Sequence, residues 1–464
     1  MIEGYYLMPH PPLIIPEIGC GDEEALEETK EACTRIANEI ANIKPKTIVL
    51  VTPHGPVMEN SIVISMGSEI NGNLEAFGAK KISFKHAIDS ALSKRICDLA
   101  KTKAIHMTEI DEQTHFPFKS RYYLDHGAIV PLYFINQVYS DFQIVHITYG
   151  LLNKYKLYQL GMLIRQAIQE LNRDVVFVAS GDLSHVVNDF SPYGFKAEGP
   201  IFDGLIQSAL DNSDTEKIFQ LDSKLIYEAK ECGLRTLYIL LGLLDGWVYV
   251  PKLKSYEAPY GVGYATYAFE LVERNKSKLI DLVNASIAEC MLAMKVENES
   301  VILALESILY YLFLGERPLE KKVSEPLRSI QKGVFVSLKI NGELRGCIGT
   351  VFPRKNCIRD EIIENAIEAA FFDPRFMPLT EEEIFELSCS VDVLSPLEKI
   401  TQIDQLDPYR YGLVVKQDEL WGVLLPNLEG IESSTMQLEL TLRKAGIVGE
   451  RYEMYRFTTE RFQK

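Results

Sequence analysis

A chain of 464 residues is about three times the length of a typical domain, so two domains are expected. Apolar residues make up 47% and charged residues 24%, which fits a soluble globular protein and excludes a disordered or fibrous class. The formal net charge of −17 argues against nucleic acid or an anionic membrane as partner, because both are held through lysine and arginine.

The opening residues, Met1-Ile2-Glu3-Gly4-Tyr5, have neither a basic nor an apolar targeting region. Apolar runs such as Leu237–Leu244 fall far short of the roughly 20 residues that span a bilayer. The eight cysteines (Cys20, Cys33, Cys97, Cys232, Cys290, Cys347, Cys357 and Cys389) form no CxxC pair. A reduced, cytoplasmic protein is the expectation.

Strand-like and helix-like runs alternate through the first part. Residues 24–43 read as a helix, acidic at its start, with Ala, Leu, Ile and Cys on one face, ended by Lys44-Pro45-Lys46. Thr47–Thr52 is a continuous β-branched apolar run, as in a strand buried on both faces. It stops at Pro53-His54-Gly55-Pro56. Phe142–Thr148 is a further strand, Lys154–Leu171 a helix and Val175–Ala179 a buried strand, with Ser180-Gly181-Asp182 as the turn after it. The alternation predicts an α/β fold, a mostly parallel or mixed sheet with helices on both faces. Ligands of such sheets bind beyond the carboxyl ends of the strands, so His54 and His185 are expected on one rim.

Composition shifts near residue 275, at Glu273-Arg274-Asn275-Lys276-Ser277-Lys278. The predicted organisation is a first domain over 1–275, a linker helix region over 276–296 and a C-terminal α+β domain over 297–464. Helices are expected at 279–294, 299–314 and 358–371. Strands are expected at Gly333–Ile340, near 386–394 and as a hairpin around 412–425. Asn341-Gly342 marks a hairpin turn.

All eight histidines lie in the first 185 residues, so the N-terminal domain is the better candidate for metal or acid–base chemistry. His10 sits among Pro9, Pro11 and Pro12, and His54 between Pro53 and Gly55: each is an imidazole on a stiff loop. Together they suit a metal such as Fe(II), or Zn or Cu, which accept neutral imidazole nitrogen. Asp182, three residues before His185, is placed to orient that ring. Glu231-Cys232-Gly233 precedes the apolar helix Leu234–Leu244, where the helix dipole favours an anionic ligand. Either Glu231 or Cys232 is the third ligand. His86, His106, His115 and His146 read as structural or exposed.

His10-Pro11-Pro12, Thr52-Pro53-His54-Gly55, Asp125-His126-Gly127, Gly181-Asp182-Leu183-Ser184-His185 and Glu231-Cys232-Gly233 occur in that order. Over about residues 4–272 this resembles the LigB-type class III extradiol dioxygenases, including their Memo branch. The resemblance implies Fe(II) on His10 and His54, acid–base catalysis by His185, substrate contact by His126, and a catechol-like or other small chelating substrate. The dioxygenases carry glutamate where this chain has Cys232, whereas the Memo branch has cysteine there, so the chain departs from the ring-cleaving pattern at the third ligand. Over about 297–464, Leu344-Arg345-Gly346-Cys347-Ile348-Gly349, Asp373-Pro374-Arg375-Phe376, Val391-Asp392-Val393-Leu394-Ser395-Pro396 and Gly422-Val423-Leu424-Leu425-Pro426 resemble the AMMECR family. The pairing is similar to the AmmeMemoRadiSam system, which implies a radical-SAM partner and an alternative role as a non-catalytic metal-binding scaffold. Within the hexapeptide, Arg345 suits an anionic group, and Cys347 is either a nucleophile or a packed core thiol.

Overall fold

The computed structural model describes residues 2–114, 122–318, 322–449 and 451–463. His115 lies outside them. The chain divides into two compact units, Met1–Val283 and Asn284–Lys464.

The strands of the first unit are β1 (Ile2–Met8), β2 (Thr47–Thr52), β3 (Ile62–Ser65), β4 (Glu69–Leu74), β5 (Ala79–Ala87), β6 (Met107–Ile110), β7 (Gln143–Thr148), β8 (Val175–Ser180), β9 (Trp247–Glu257) and β10 (Tyr264–Arg274). Eight of them form one sheet in the order β6-β3-β7-β2-β8-β1-β10-β9, and β4 and β5 form a separate hairpin. The central four, β7, β2, β8 and β1, run parallel. The flanking strands make the sheet mixed, since β3 is antiparallel to β7 and β10 is antiparallel to β1. The α/β class read from the sequence therefore holds, in its mixed form.

β2 and β8 are buried at every residue, because helices cover both faces of the sheet. Cys33, Ile36, Ala37 and Ile40 of the helix Glu27–Ile43 and Ala128, Ile129, Leu132 and Ile135 of the helix His126–Val138 pack on Tyr6, Met8, Ile48, Leu50, Val176 and Val178. Alternation along the strands turns Leu7, Val49, Val51, Phe177 and Ala179 to the opposite face, where the helices Ser90–Thr102, Lys154–Glu170 and Leu234–Leu243 lie. Each fully buried Leu, Ile or Val contributes about 1.5–3 kcal/mol, so this core holds the central strands rigidly.

The register aligns the strand ends. Met8 pairs with Ser180, Thr52 with Thr148, and Val51 with Ala179. His10, His54 and Asp182 each follow the carboxyl end of one of these strands by two residues, so all three emerge on one rim.

The second unit contains β11 (Val334–Ile340), β12 (Glu343–Thr350), β13 (Leu387–Leu394), β14 (Glu398–Ile400), β15 (Gly412–Gln417), β16 (Leu420–Leu424), β17 (Glu453–Phe457) and β18 (Thr459–Gln463). They form two antiparallel four-stranded sheets, β12-β11-β13-β18 and β14-β17-β15-β16. Between β11 and β12, Asn341 and Gly342 have φ of 51° and 84°, the pair of positive values that a tight two-residue hairpin needs. Among the described residues, no helix is long and apolar enough to cross a membrane.

Candidate metal centre

Three loops and one helix start bring the candidate ligands together. His10 Nε2 lies 2.9 Å from His54 Nε2 and 3.7 Å from Cys232 Sγ. The ligand atoms of His10, His54 and Cys232 all lie within 4.8 Å of one another, and those of Asp182, His185 and Cys232 do the same. Cys232 is thus common to both groups. His126 completes the cluster, its ring stacked on that of His54 at 4.2 Å.

The approach of Cys232 depends on backbone contact. Gly233 N donates to Asp182 O at 2.9 Å, and Asp182 N donates to Cys232 Sγ at 3.3 Å. A Cβ on Gly181 would lie 2.3 Å from Gly233 Cα, so only glycine lets the loop after β8 touch the start of the Leu234–Leu243 helix.

The protonation of His10 follows from its neighbours. The Ser180 hydroxyl donates to Gly127 O at 2.5 Å, which uses its only hydrogen. Toward His10 Nδ1, 2.9 Å away, Ser180 Oγ therefore accepts. His10 carries its proton on Nδ1, and Nε2 presents a bare lone pair to the cluster. Thr52 Oγ1 donates to Asp125 Oδ1 at 2.6 Å. Asp125 Oδ1 also accepts from Ala128 N as the cap of the His126–Val138 helix, and Oδ2 lies 3.3 Å from His146 Nε2. Burial alone would raise the Asp125 carboxyl, but His146, Thr52 and His126 hold it at about 2.

Electrostatics keep the ligands uncharged. Burial, then the adjacent His54, pushes His10 well below the usual imidazole range. The protein behind its ring, then His126, lowers His54 to about 4, although its outer side is open to solvent. Burial and His10 lower His126 to about 4. Burial and then Asp182 push the Cys232 thiol well above its ordinary value, and burial raises Asp182. The result is a set of neutral imidazole lone pairs and one thiol, buried at His10 and Cys232 and open to solvent at His54, an arrangement that a cation would stabilise.

The donor set fits a metal. With metal–imidazole bonds of about 2.1 Å, two ligands at right angles lie about 3.0 Å apart, close to the observed 2.9 Å. Between the two candidates for the third position, the Cys232 sulfur faces the imidazoles. The Glu231 carboxylate turns away, accepting from Leu234 N at 2.6 Å and capping the helix. Asp182 also differs from expectation, because it does not hydrogen-bond the His185 ring. Its Oδ1 accepts from His10 N at 2.9 Å and its Oδ2 lies 3.6 Å from His10 Nε2. His185 Nδ1 is instead held by the Lys230 carbonyl, on a residue with φ of 56°. That partner lies 45 residues away in sequence and has no local signature. Ser180 is equally unmarked. The Asp125 cap was legible as an aspartate just before an apolar run.

His86 is buried with Asn136 beside its ring, His146 is buried between Ser65 and Asp125, and His106 is exposed. In the second unit, Arg345 is already paired. Its Nε and Nη2 donate to Glu383 at 2.7 and 3.1 Å, and Nη2 also reaches Pro378 O. Cys347 is half-buried, and its sulfur accepts from Ser337 Oγ at 3.2 Å.

The family described as the catalytic LigB subunit of aromatic ring-opening dioxygenase matches residues 4–270. The chain belongs to the LigB family. The LigB domain is followed by an AMMECR1 domain matched over residues 301–464, so the two-part resemblance read from the motifs is correct. A Clostridium acetobutylicum protein is 40% identical over 100% of this chain and 99% of its own length. A Thermotoga maritima protein is 43% identical over 31% of this chain and 84% of its own length. A crystal structure of an uncharacterised Pyrococcus horikoshii protein is 32% identical, covers 37% of this chain and 94% of its own, and has a TM-score of 0.34.

Proposed function

We propose that the LigB domain holds one Fe(II) ion through His10, His54 and Cys232 and acts as an extradiol-type dioxygenase on a catechol-like or other small chelating substrate. The observation that carries this reading is the convergence of two imidazole nitrogens and a thiol within 4.8 Å at the carboxyl ends of parallel strands. Bound iron would supply a cationic anchor for the substrate's chelating oxygens and an electron source for O₂.

The chain's own residues do the remaining work. Ser180 fixes the His10 ring with its Nε2 lone pair inward. The Lys230 carbonyl holds His185 by Nδ1, which leaves His185 Nε2 to accept a proton from a substrate hydroxyl and return it later. His126, uncharged at neutral pH with its pKa near 4, donates or accepts one hydrogen bond at the substrate beside His54. Asp182 anchors the His10 backbone through its amide.

One observation favours a second reading. A thiol stands where the ring-cleaving enzymes carry a carboxylate, and sulfur favours softer ions such as Zn(II) or Cu(I). On that reading the domain holds a metal without turnover and serves, with the AMMECR1 domain, a radical-SAM partner. Anaerobic loading with Fe(II) and metal analysis of the parent, His10→Ala, His54→Ala and Cys232→Ala, followed by O₂ uptake with a panel of catechols, separates the two. Iron bound through the three residues together with substrate-dependent O₂ uptake supports the dioxygenase. Metal without uptake supports the second reading. Equal metal in all four proteins defeats both.

A further inference from the structure

A cavity of about 500 Å³ opens in the AMMECR1 domain, with residues of β11, β12 and β13 in one wall and of β16 in another. Its size is within the roughly 300–1,000 Å³ of small-molecule sites. The strand register sets Cys347, Ser337, Ser390 and Gln463 side by side across β12, β11, β13 and β18, and all four line the cavity. Ser337, Cys347 and Ser390 are half-buried and Gln463 is exposed, on the face opposite the buried Val336, Leu338 and Val391, so a thiol, two hydroxyls and an amide line the cavity within reach of solvent.

The charge of the walls is distinctive. Lys339, Arg375, Lys444 and Arg461 line the cavity against one carboxylate, Glu429, in a chain whose net charge is −17. Arg375 and Arg461 are steadied by Asp373 and Asp392, whose side chains are only 2% and 1% exposed. Lys339 makes no ion pair among the described residues, and Lys444 Nζ reaches only the neutral Val423 carbonyl, at 3.1 Å. Phe335, Leu344, Val423 and Leu425 supply apolar wall. A cleft lined by one sign of charge with low-dielectric walls concentrates the opposite ion.

We propose that this cavity is a second ligand site, independent of the metal centre, and that it takes a small organic anion with an apolar body. The anionic group lies toward the lysines, the apolar body against Phe335 and Leu425, and the hydroxyl row with Cys347 forms the floor.

Cys347 reports on its own surroundings. The full chain is treated separately with iodoacetate and iodoacetamide, and the alkylation rate of the Cys347 peptide is followed by mass spectrometry, with N-acetylcysteine as the free-thiol reference. The negative reagent is expected to be favoured at Cys347 by about tenfold over the reference ratio. In Lys339→Glu/Lys444→Glu, whose substitutions are both on exposed residues, that preference should fall to the reference or below. Anilinonaphthalenesulfonate, an aromatic anion, should slow alkylation of Cys347 in the parent and not in the variant. A ratio at Cys347 no higher than the reference, a ratio unchanged in the variant, or a Cys347 inert to both reagents would each overturn the proposal.

Discussion

Cys232 lies 3.7 Å from His10 Nε2 with Asp182 alongside, whereas Cys347 faces a cavity walled by lysine and arginine in a domain without histidine. Both thiols sit at the edge of a sheet-based site, yet their surroundings select opposite ligands. Around Cys232 burial keeps His10, His54 and His126 uncharged and leaves their lone pairs, a setting that lacks a cation. Around Cys347 the positive side chains outnumber the negative, a setting that lacks an anion. A cysteine in a motif therefore has no fixed meaning, and the sign of the charge around it decides what it can meet.

The sharpest way to break this contrast is to remove an imidazole. His10→Ala or His54→Ala should reduce bound metal from about one ion per chain to near none while leaving the alkylation ratio at Cys347 unchanged. Metal analysis and peptide mass spectrometry on the same samples check both halves, and a coupled change would mean that the two sites are not independent. Next in size is Ser180→Ala. It frees the His10 ring to choose either tautomer, and metal affinity should fall roughly 10–100-fold, measured by competition with a chelator. No loss would mean that the Ser180 bond does not set the lone pair.

Acid sharpens the comparison differently. Asp125 is held at about 2 in the folded chain, below the 3.8 of an ordinary aspartate. Its contribution to stability is present above the unfolded pKa and is lost as pH falls through the folded value. That window runs from about pH 4 to pH 2 and is worth about 2 kcal/mol. The chain has two tryptophans, so a Trp421→Phe background leaves Trp247 to report unfolding of the LigB domain alone. Asp125→Asn in that background should flatten the acid limb, and an unaltered pH dependence would reject the assignment. The smallest effect belongs to the AMMECR1 domain. Glu383→Ala removes the partner of Arg345, a pair 27% and 15% exposed, and should cost about 1 kcal/mol. Denaturant melts followed by Trp421 in a Trp247→Phe background measure it, and a loss several times larger would mean that Arg345 organises more than its own loop.

Much of the fold was legible because its signals are local. The β-branched runs of β2 and β8, the helices at 279–294, 299–314 and 358–371 and the Asn341-Gly342 turn appear where the residue pattern put them. β1 was not read, since Gly4, Tyr5 and Tyr6 break a simple apolar run. The edge strands β6 and β9 carry mixed patterns whose meaning depends on what covers them. Within the metal centre, prolines and glycine marked His10 and His54 as residues of stiff loops, His54 directly after a strand. The choice between Glu231 and Cys232 was not marked, because adjacent residues before a helix differ only in where the backbone points them.

The sequence by itself determined the element types, the two-part organisation, the confinement of histidine to the first domain and the motifs that identify both families. These rest on composition, periodicity and short-range backbone preference, which do not need the rest of the chain. Tertiary structure alone decided that His10, His54 and Cys232 meet, that Ser180 and the Lys230 carbonyl set the faces of His10 and His185, that Arg345 is occupied by Glu383, and that Cys347 shares a cavity with Lys339, Arg375, Lys444 and Arg461. Each of those facts joins residues tens to hundreds of positions apart, and only the strand register and the packing of helices onto the sheet fix such distances.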